Sequence, residues 1–538
     1  MSVVPIPWRH DKNYDIKDYV WNGGTYKVEY EAAPNISTVI MAVNDGALAN
    51  SHTGLVNEKL SVPTYNPILD RCSDPGAGAF SDYVDYSFMS ARAVGAGEEL
   101  FVEYGDQWFE DRAQFADVPL SNNFIAANRV AASLWQLTAL DGGLNAGQTE
   151  DLMSTIRESF VGEHRTKMAL SQIEQIDDLK VVLERNGTAQ ATVKKRSQEW
   201  FDKHGQCLDH IYVKASTIPQ AGNGAFARRF LPEGTTIISS PLVATYGREL
   251  FEVDPASSPD GINPTMLFLN YQLFHPNSSV YFFPINHALM INHNSARREN
   301  GQTPNARLRW SSRSKKALFY LARPLEDLKE EHYSTMVLDF VATRDIQVDE
   351  EVFIDYGIEW ENAWYKHVAE FKSPCMPGQK KKSSKFVKSM NRQKFETTYH
   401  QWSDDHFTVC NDDSTVKWLR LLGEASPGLK DAVVAPYHGI TKDHLGFNIS
   451  YPTSRRRPCL ILNSFPEHLA FDVMLFATGD TFESHDFQLL KRIPSLRAEN
   501  IEFIDKPFRS DMFWPGAFRH AMKIPDDVFP VHWKDVVD

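Results

Sequence analysis

A 21-residue phrase occurs twice in this chain, at a constant offset of 252 positions. Phe88, Arg92, Glu98, Glu99, Phe101, Tyr104, Gly105 and Trp108 recur as Phe340, Arg344, Glu350, Glu351, Phe353, Tyr356, Gly357 and Trp360, with no gap. Eight identities in one register predict duplication with divergence. The period is far too long for a solenoid repeat and fits two copies of a domain-sized unit. A chain of 538 residues has room for roughly two to four domains with real cores.

Three further short motifs precede the second copy's tyrosine in a fixed order. They are Gly222-Asn223-Gly224, Asn292-His293 and Pro304-Asn305, closed by Asp355-Tyr356-Gly357. Each alone is common in chains of this length; the ordered series is not. Order and local wording together resemble the SET-domain protein-lysine methyltransferases, over roughly residues 205–365. The resemblance implies S-adenosyl-L-methionine as cofactor, held at Gly222, Asn223, Gly224, Asn292 and His293. It implies Tyr356 as the catalytic residue, with Phe353 and Trp360 as aromatic walls of the substrate channel. Glu350 and Glu351 match the family's acidic pair and read as turn-forming. Tyr271 and Tyr281 fall in the variable insert and receive no role.

The chain departs from the family's wording in places. Asn294-Ser295 stand where the family has Ser-Cys, and the loop 296–303 lengthens the spacing to Pro304. Only Cys375 follows the tyrosine motif nearby, so the family's zinc-binding cysteine cluster is missing and no metal is expected. In the first copy, Asn50-Ser51-His52 and Glu103-Tyr104-Gly105 stand where the later motifs belong. No Gly-x-Gly-Ala-Phe precedes Asn50, so this copy reads as a docking or scaffolding module.

These residue types suit methyl transfer. Displacement of a methyl group from a sulfonium by a lysine amine needs no protein nucleophile. It needs the two partners held in line and an amine that has lost its proton, whose ordinary pKa is about 10.4. A narrow apolar channel disfavours the ammonium. Glycines let backbone approach a ligand closely, and a tyrosine hydroxyl can orient the amine and contact a methyl group through weak C–H···O interactions.

Composition bounds the partners. The formal net charge is −14, which disfavours a general nucleic-acid binder and favours a basic protein segment, such as a histone tail, as partner. No apolar run is long enough to cross a membrane, and no apolar signal core opens the chain, so an intracellular place, nucleus or cytoplasm, is expected. Five cysteines, never closer than 35 positions, suit a reducing compartment.

The expected fold class is α+β. Residues 1–112 read as the partial SET-like module, with strands at Tyr26–Tyr30, Ser37–Val43 and two more around Gly95 and Gly97. Residues 113–204 read as a helical spacer, with Phe124, Ala127, Ala131 and Leu134 on one face, then Ile173, Ile176, Leu179 and Leu183 on another. Residues 205–370 form the β-rich catalytic domain, with strands at Thr235–Ser239, Arg307–Trp310 and Ser314–Leu321. A basic linker, 371–395, leads to a C-terminal module, 396–538, of unknown role, with strands at Pro458–Leu462 and Leu469–Phe476. The function expected is S-adenosylmethionine-dependent lysine N-methylation of a histone or non-histone protein. The alternative is a catalytically inactive SET-derived protein that binds basic peptides. Oligomeric state is left open.

Overall fold

The computed structural model describes residues 2–8, 16, 19–22, 37–60, 64–65, 72–81, 83–84, 87–139, 143–159, 163–171, 173, 175–185, 187–191, 193, 195–205, 209–253, 263–298, 303–330, 336–373, 390–395, 406–411, 435–441, 456–477, 486–505 and 514–534. The expected strand at Tyr26–Tyr30, Cys375 and most of the basic linker lie outside them. The chain is α+β and divides into two compact units. One comprises Met1–Ala47, Pro63–Tyr86 and Leu208–Asp538; the other comprises Leu48–Val62 and Ser87–Cys207. The stretch expected as one module, 1–112, thus contributes to both.

The smaller unit is mainly helical. Helices Ser121–Ala139, Ala146–Ser159, His164–Leu170 and Ile176–Glu184 enclose Leu55, Phe124, Ala127, Ala131, Leu134, Leu170, Ile173 and Leu179. The face at Phe124, Ala127, Ala131 and Leu134 is the expected one. In the later helix Val182, not Leu183, completes the buried row, because it falls three residues after Leu179 on the inner side. Ile173 is buried but precedes the helix. Only one of the two strands expected around Gly95 and Gly97 forms, Phe88–Ser90; Phe101 makes a single bridge to Asn50 instead.

The larger unit holds a six-stranded sheet in the order Ala306–Trp310, Met336–Ala342, Thr236–Tyr246, Val280–Pro284, Leu273–Phe274, Met522–Lys523. All its neighbours are antiparallel except the last pair, where Leu273 faces Met522. Phe282, Phe283, Phe340 and Trp533 are fully buried around it, and each phenylalanine contributes about 1.5–3 kcal/mol of burial. Thr236–Tyr246 is twice the expected length because its burial runs nearly unbroken, as a central strand covered on both faces does. The residues expected as a strand at Ser314–Leu321 are instead a helix, Lys315–Leu321. Ser314 caps it, its side chain accepting from the Ala317 N–H at 3.1 Å.

Strands Ser2–Trp8, Ser37–Val43 and Trp21–Asn22 form a three-stranded sheet. A second six-stranded sheet spans Ala435–Thr441, Asp486–Arg497, Ala470–Ala477, Arg456–Phe465, His406–Asn411 and Ile501–Asp505. Cys410 and Cys459, on adjacent strands and fully buried, form a disulfide. That corrects the expectation of unpaired thiols: a separation of 49 residues in sequence hides a contact that strand pairing creates. The C-terminal stretch expected as one module is also divided, since Met522–Lys523 returns to the first sheet.

Candidate active site

Two crossing segments build the site. Asn292–His293 lies parallel to Phe353–Ile354, Asn292 facing Phe353 and His293 facing Ile354. The Tyr356 side chain therefore emerges just past the crossing. Its hydroxyl donates to the Ile291 carbonyl at 2.6 Å, and its own N–H donates to His293 Nδ1 at 3.0 Å. Gly357 follows at φ 99°, a conformation that favours glycine, and opens the helix Ile358–Glu370. Burial, together with Tyr271 and Glu351, holds the Tyr356 hydroxyl well above its usual pKa. It remains a neutral donor, suited to orienting a partner rather than to taking its proton.

His293 is 4% exposed. Burial, reinforced by Arg298, lowers its pKa to about 4, against the opposite pull of Asp355 and Glu361. The ring is neutral, and Nδ1 accepts, so Nε2 carries the hydrogen; among the described residues it makes no hydrogen bond, the nearest carboxylate, Glu361, standing 3.9 Å away. Beneath it Arg297 grips both Asp355 oxygens at 2.8 and 2.9 Å and Glu361 at 2.6 Å. Ser295 donates to the same Glu361 carboxylate. Burial is the largest single influence and pushes the Asp355 and Glu361 carboxyls up, but the Arg297 hydrogen bonds and charge, joined by the Gly357 N–H at Asp355 and Ser295 at Glu361, together outweigh it, and both lie below their usual range.

Glu351 organises the glycine loop. It is buried and accepts from Ser216 Oγ, the Thr217 N–H and the Asn292 amide, which also donates to the Asn223 carbonyl at 2.9 Å. Asn305 clasps the other side: its amide donates to the Glu351 carbonyl and its oxygen accepts from the Phe353 N–H, both at 2.8 Å. Glu350 pairs with Arg344 at 2.6 Å.

A Cβ at Gly224 would fall 2.0 Å from the Glu351 carboxylate, and one at Gly222, where φ is 69°, would meet the Phe80 ring at 2.8 Å. Packing by the protein itself therefore requires these glycines. Trp360 lies beside Tyr356, ring centroids 5.1 Å apart, and also contacts His293 and Phe518. Phe353 is buried behind the crossing instead, with no ring contact to Tyr356 among the described residues. Tyr271 is buried near Tyr356 and its hydroxyl accepts from the Ser81 N–H, whereas Tyr281 stacks on Phe274.

Phe80, Arg297, Glu361 and Phe518 were missed by sequence reasoning. One clue was available for Phe80: Gly76-Ala77-Gly78-Ala79-Phe80 repeats the wording of Gly222–Phe226, downstream of Asn50 rather than upstream. Within the smaller unit the same contacts appear on fewer residues. Asn50 bridges Phe101 in parallel, and the Tyr104 hydroxyl donates to the Ala49 carbonyl at 2.9 Å. The Tyr104 N–H donates to Ser51, and Asn57 spans the Glu99 carbonyl and the Phe101 N–H.

Residues 222–357 match the family model described as SET domain, and this part of the chain is a SET domain. No curated protein matches the chain. Among solved structures, a Plasmodium falciparum protein assigned as a histone methyltransferase is 18% identical, over 28% of this chain and 96% of its own, with a TM-score of 0.17. The polycomb repressive complex 2 of Chaetomium thermophilum is 17% identical over 30% of this chain, with a TM-score of 0.19; the match spans 17% of that chain. A ctPRC2 structure in an autoinhibited conformation, bound to S-adenosylmethionine, is 17% identical over 33% of this chain and 18% of its own, at a TM-score of 0.20. No described helix is long and apolar enough to cross a membrane.

Proposed function

We propose that the chain is an S-adenosylmethionine-dependent protein-lysine N-methyltransferase acting on a lysine in a basic protein segment, histone or non-histone. The observation that carries this is Tyr356, whose hydroxyl and amide are both fixed by the crossing segment. A fixed hydroxyl of that kind, its hydrogen given to Ile291, offers an oxygen that accepts from an amine N–H and can hold the amine in line. Trp360 lines the same spot and tolerates a methylated cation on its face. When bound, S-adenosylmethionine supplies a methyl group on a sulfonium.

The residues present fit that group in part. The buried Nε2 of His293 beside Tyr356 makes no hydrogen bond among the described residues, Glu361 being 3.9 Å away, and can meet a polar ligand atom. The side chain of Asn292 is spent on Asn223 and Glu351, so backbone groups of 222–224 and 292–293 would hold the cofactor. Incubation with labelled S-adenosylmethionine, histones and cell extract, followed by mass spectrometry, tests the reading. Label that persists in Tyr356→Phe would end it.

The second reading, an inactive SET-derived binder of basic peptides, draws support from the Phe80 ring seated on Gly222. Calorimetry with S-adenosylmethionine separates the two: binding by the intact chain favours the enzyme, and no binding by a folded chain favours the binder. We also read the Ala49, Asn50, Asn57, Phe101 and Tyr104 contacts as a diverged second copy without a glycine loop. On that reading Tyr104→Phe leaves methyl transfer unchanged.

A further inference from the structure

Among the described residues, the strand Ala306–Trp310 is the outermost of its sheet and pairs on one side only, with Met336–Ala342. The Thr343 N–H donates to the Asn305 carbonyl and the Ser311 N–H to the Val337 carbonyl. Odd-numbered residues of this strand therefore face their neighbour. In an antiparallel ladder the alternate residues turn away, so the N–H and C=O of Leu308 point to the open side. There a groove of about 580 Å³ runs along the strand, walled by Arg307, Leu308 and Trp310, and opposite by Pro525 and Val528. The Trp310 indole bridges the walls by donating to the Val528 carbonyl at 2.8 Å.

Charge on the strand is uneven. Arg307 and Arg309 stand on its exposed face. Arg309 is neutralised by Asp339 at 3.0 Å, but Arg307 has no ion-pair partner among the described residues. Asp355, at the groove's floor, is already gripped by Arg297. Asp527, exposed, is the acid left on the far wall.

We propose that this edge is a docking site for an extended segment of a partner protein, which adds as a further strand and sets an acidic side chain opposite Arg307. An open edge offers main-chain hydrogen bonds. Side chains alternate along an added strand, so the residue level with Arg307 shares its face, where opposite charges stabilise the pair. Its two neighbours point to the other face, towards Leu308 and Val528, and are apolar. The site does not rest on methyl transfer. The bland alternative is that the arginines only keep a bare edge from pairing.

The test uses the full-length chain and a fluorescent ten-residue peptide that alternates glutamate with valine, read by anisotropy. Saturable binding is expected, weakened at least tenfold by Arg307→Glu and several-fold by Arg307→Gln, and unchanged by Tyr356→Phe. N-methylating the peptide backbone at every second residue should abolish binding in one set and spare the interleaved set. The proposal is overturned by no saturable binding, by a glutamine-for-glutamate peptide binding equally, or by equal tolerance of both N-methyl sets. A lysine-for-glutamate peptide or a single-stranded oligonucleotide that binds more tightly overturns it as well. Absence of methyl transfer by the native chain with peptide binding intact would end the proposed function and leave this site standing, so the two readings fail separately.

Discussion

Tyr356 depends on its neighbours for its direction, and the contacts make separable predictions. Tyr356→Phe removes the bond to the Ile291 carbonyl and leaves that acceptor bare. Stability should fall by about 1 kcal/mol, while kcat falls on the order of 10²-fold, the usual cost of a lost orienting donor. Cofactor affinity, read by calorimetry, should hold; an equal loss in both constants would mean the tyrosine is mere packing. Asn292→Ala should act oppositely, weakening the cofactor, because its amide ties the Asn223 carbonyl to Glu351. His293 predicts the acid limit. Its folded pKa of about 4 lies below the ordinary value of 6.5, so the fold favours the neutral ring. Its contribution is whole above pH 6.5 and lost as pH falls from 6.5 towards 4, on the order of 3 kcal/mol in all. Protonation also takes Nδ1 away from the Tyr356 N–H. Thermal unfolding of the native chain and of His293→Gln across that range should converge as pH falls; parallel curves would refute the claim. Tyr356, Trp360 and Asn292 were legible in sequence because the motif is local. Glu361 and Arg297 were not: a buried carboxylate and its arginine are chosen by the crossing of segments, which no local pattern displays.

At the scale of elements, apolar runs located two of the six strands of the first sheet, Thr236–Tyr246 and Ala306–Trp310, and the errors have identifiable causes. The strand expected at Ser314–Leu321 is a helix, because Ser314 before Lys315-Lys316-Ala317-Leu318 is a cap before helix formers. Ser314→Ala should cost about 1 kcal/mol, and Ser314→Asp should recover it; identical melting of all three chains would show the cap to be idle. Leu273–Phe274 and Met522–Lys523 were invisible in sequence because two-residue strands carry no period. They matter to the site nonetheless. The Lys523 N–H donates to the Tyr356 carbonyl at 2.9 Å, and the lysine's own ammonium is held by Glu359 and Asp526. A segment some 165 residues downstream thus fixes the backbone of the candidate catalytic residue, which spacing along the chain could not reveal.

The whole molecule was least legible. Its two units interleave in sequence, so compositional shifts could not place their boundaries, and the Cys410–Cys459 disulfide joins strands whose pairing no cysteine spacing announces. Closing a loop of that length stabilises by roughly 3–4 kcal/mol on the chain-entropy account. Dithiothreitol should lower the melting temperature of the native chain by more than that of a Cys410→Ala, Cys459→Ala double variant, in which only the disulfide of Cys72 is left to reduce. Net charge, by contrast, is a property the sequence states outright, and it carries the last prediction. At −14 the body should draw a lysine- or arginine-rich substrate segment by long-range attraction, which salt screens over roughly 8 Å at physiological strength. Transfer at Tyr356 uses short, sheltered contacts and should respond far less. On a basic peptide kcat/KM should therefore drop steeply from low to high salt while kcat stays nearly flat. A charge-neutral peptide with the same target lysine should show a shallow slope in both. If acidity serves only solubility, the two peptides will give equal slopes, and the partner's charge must then be sought at the site itself rather than in the field around it.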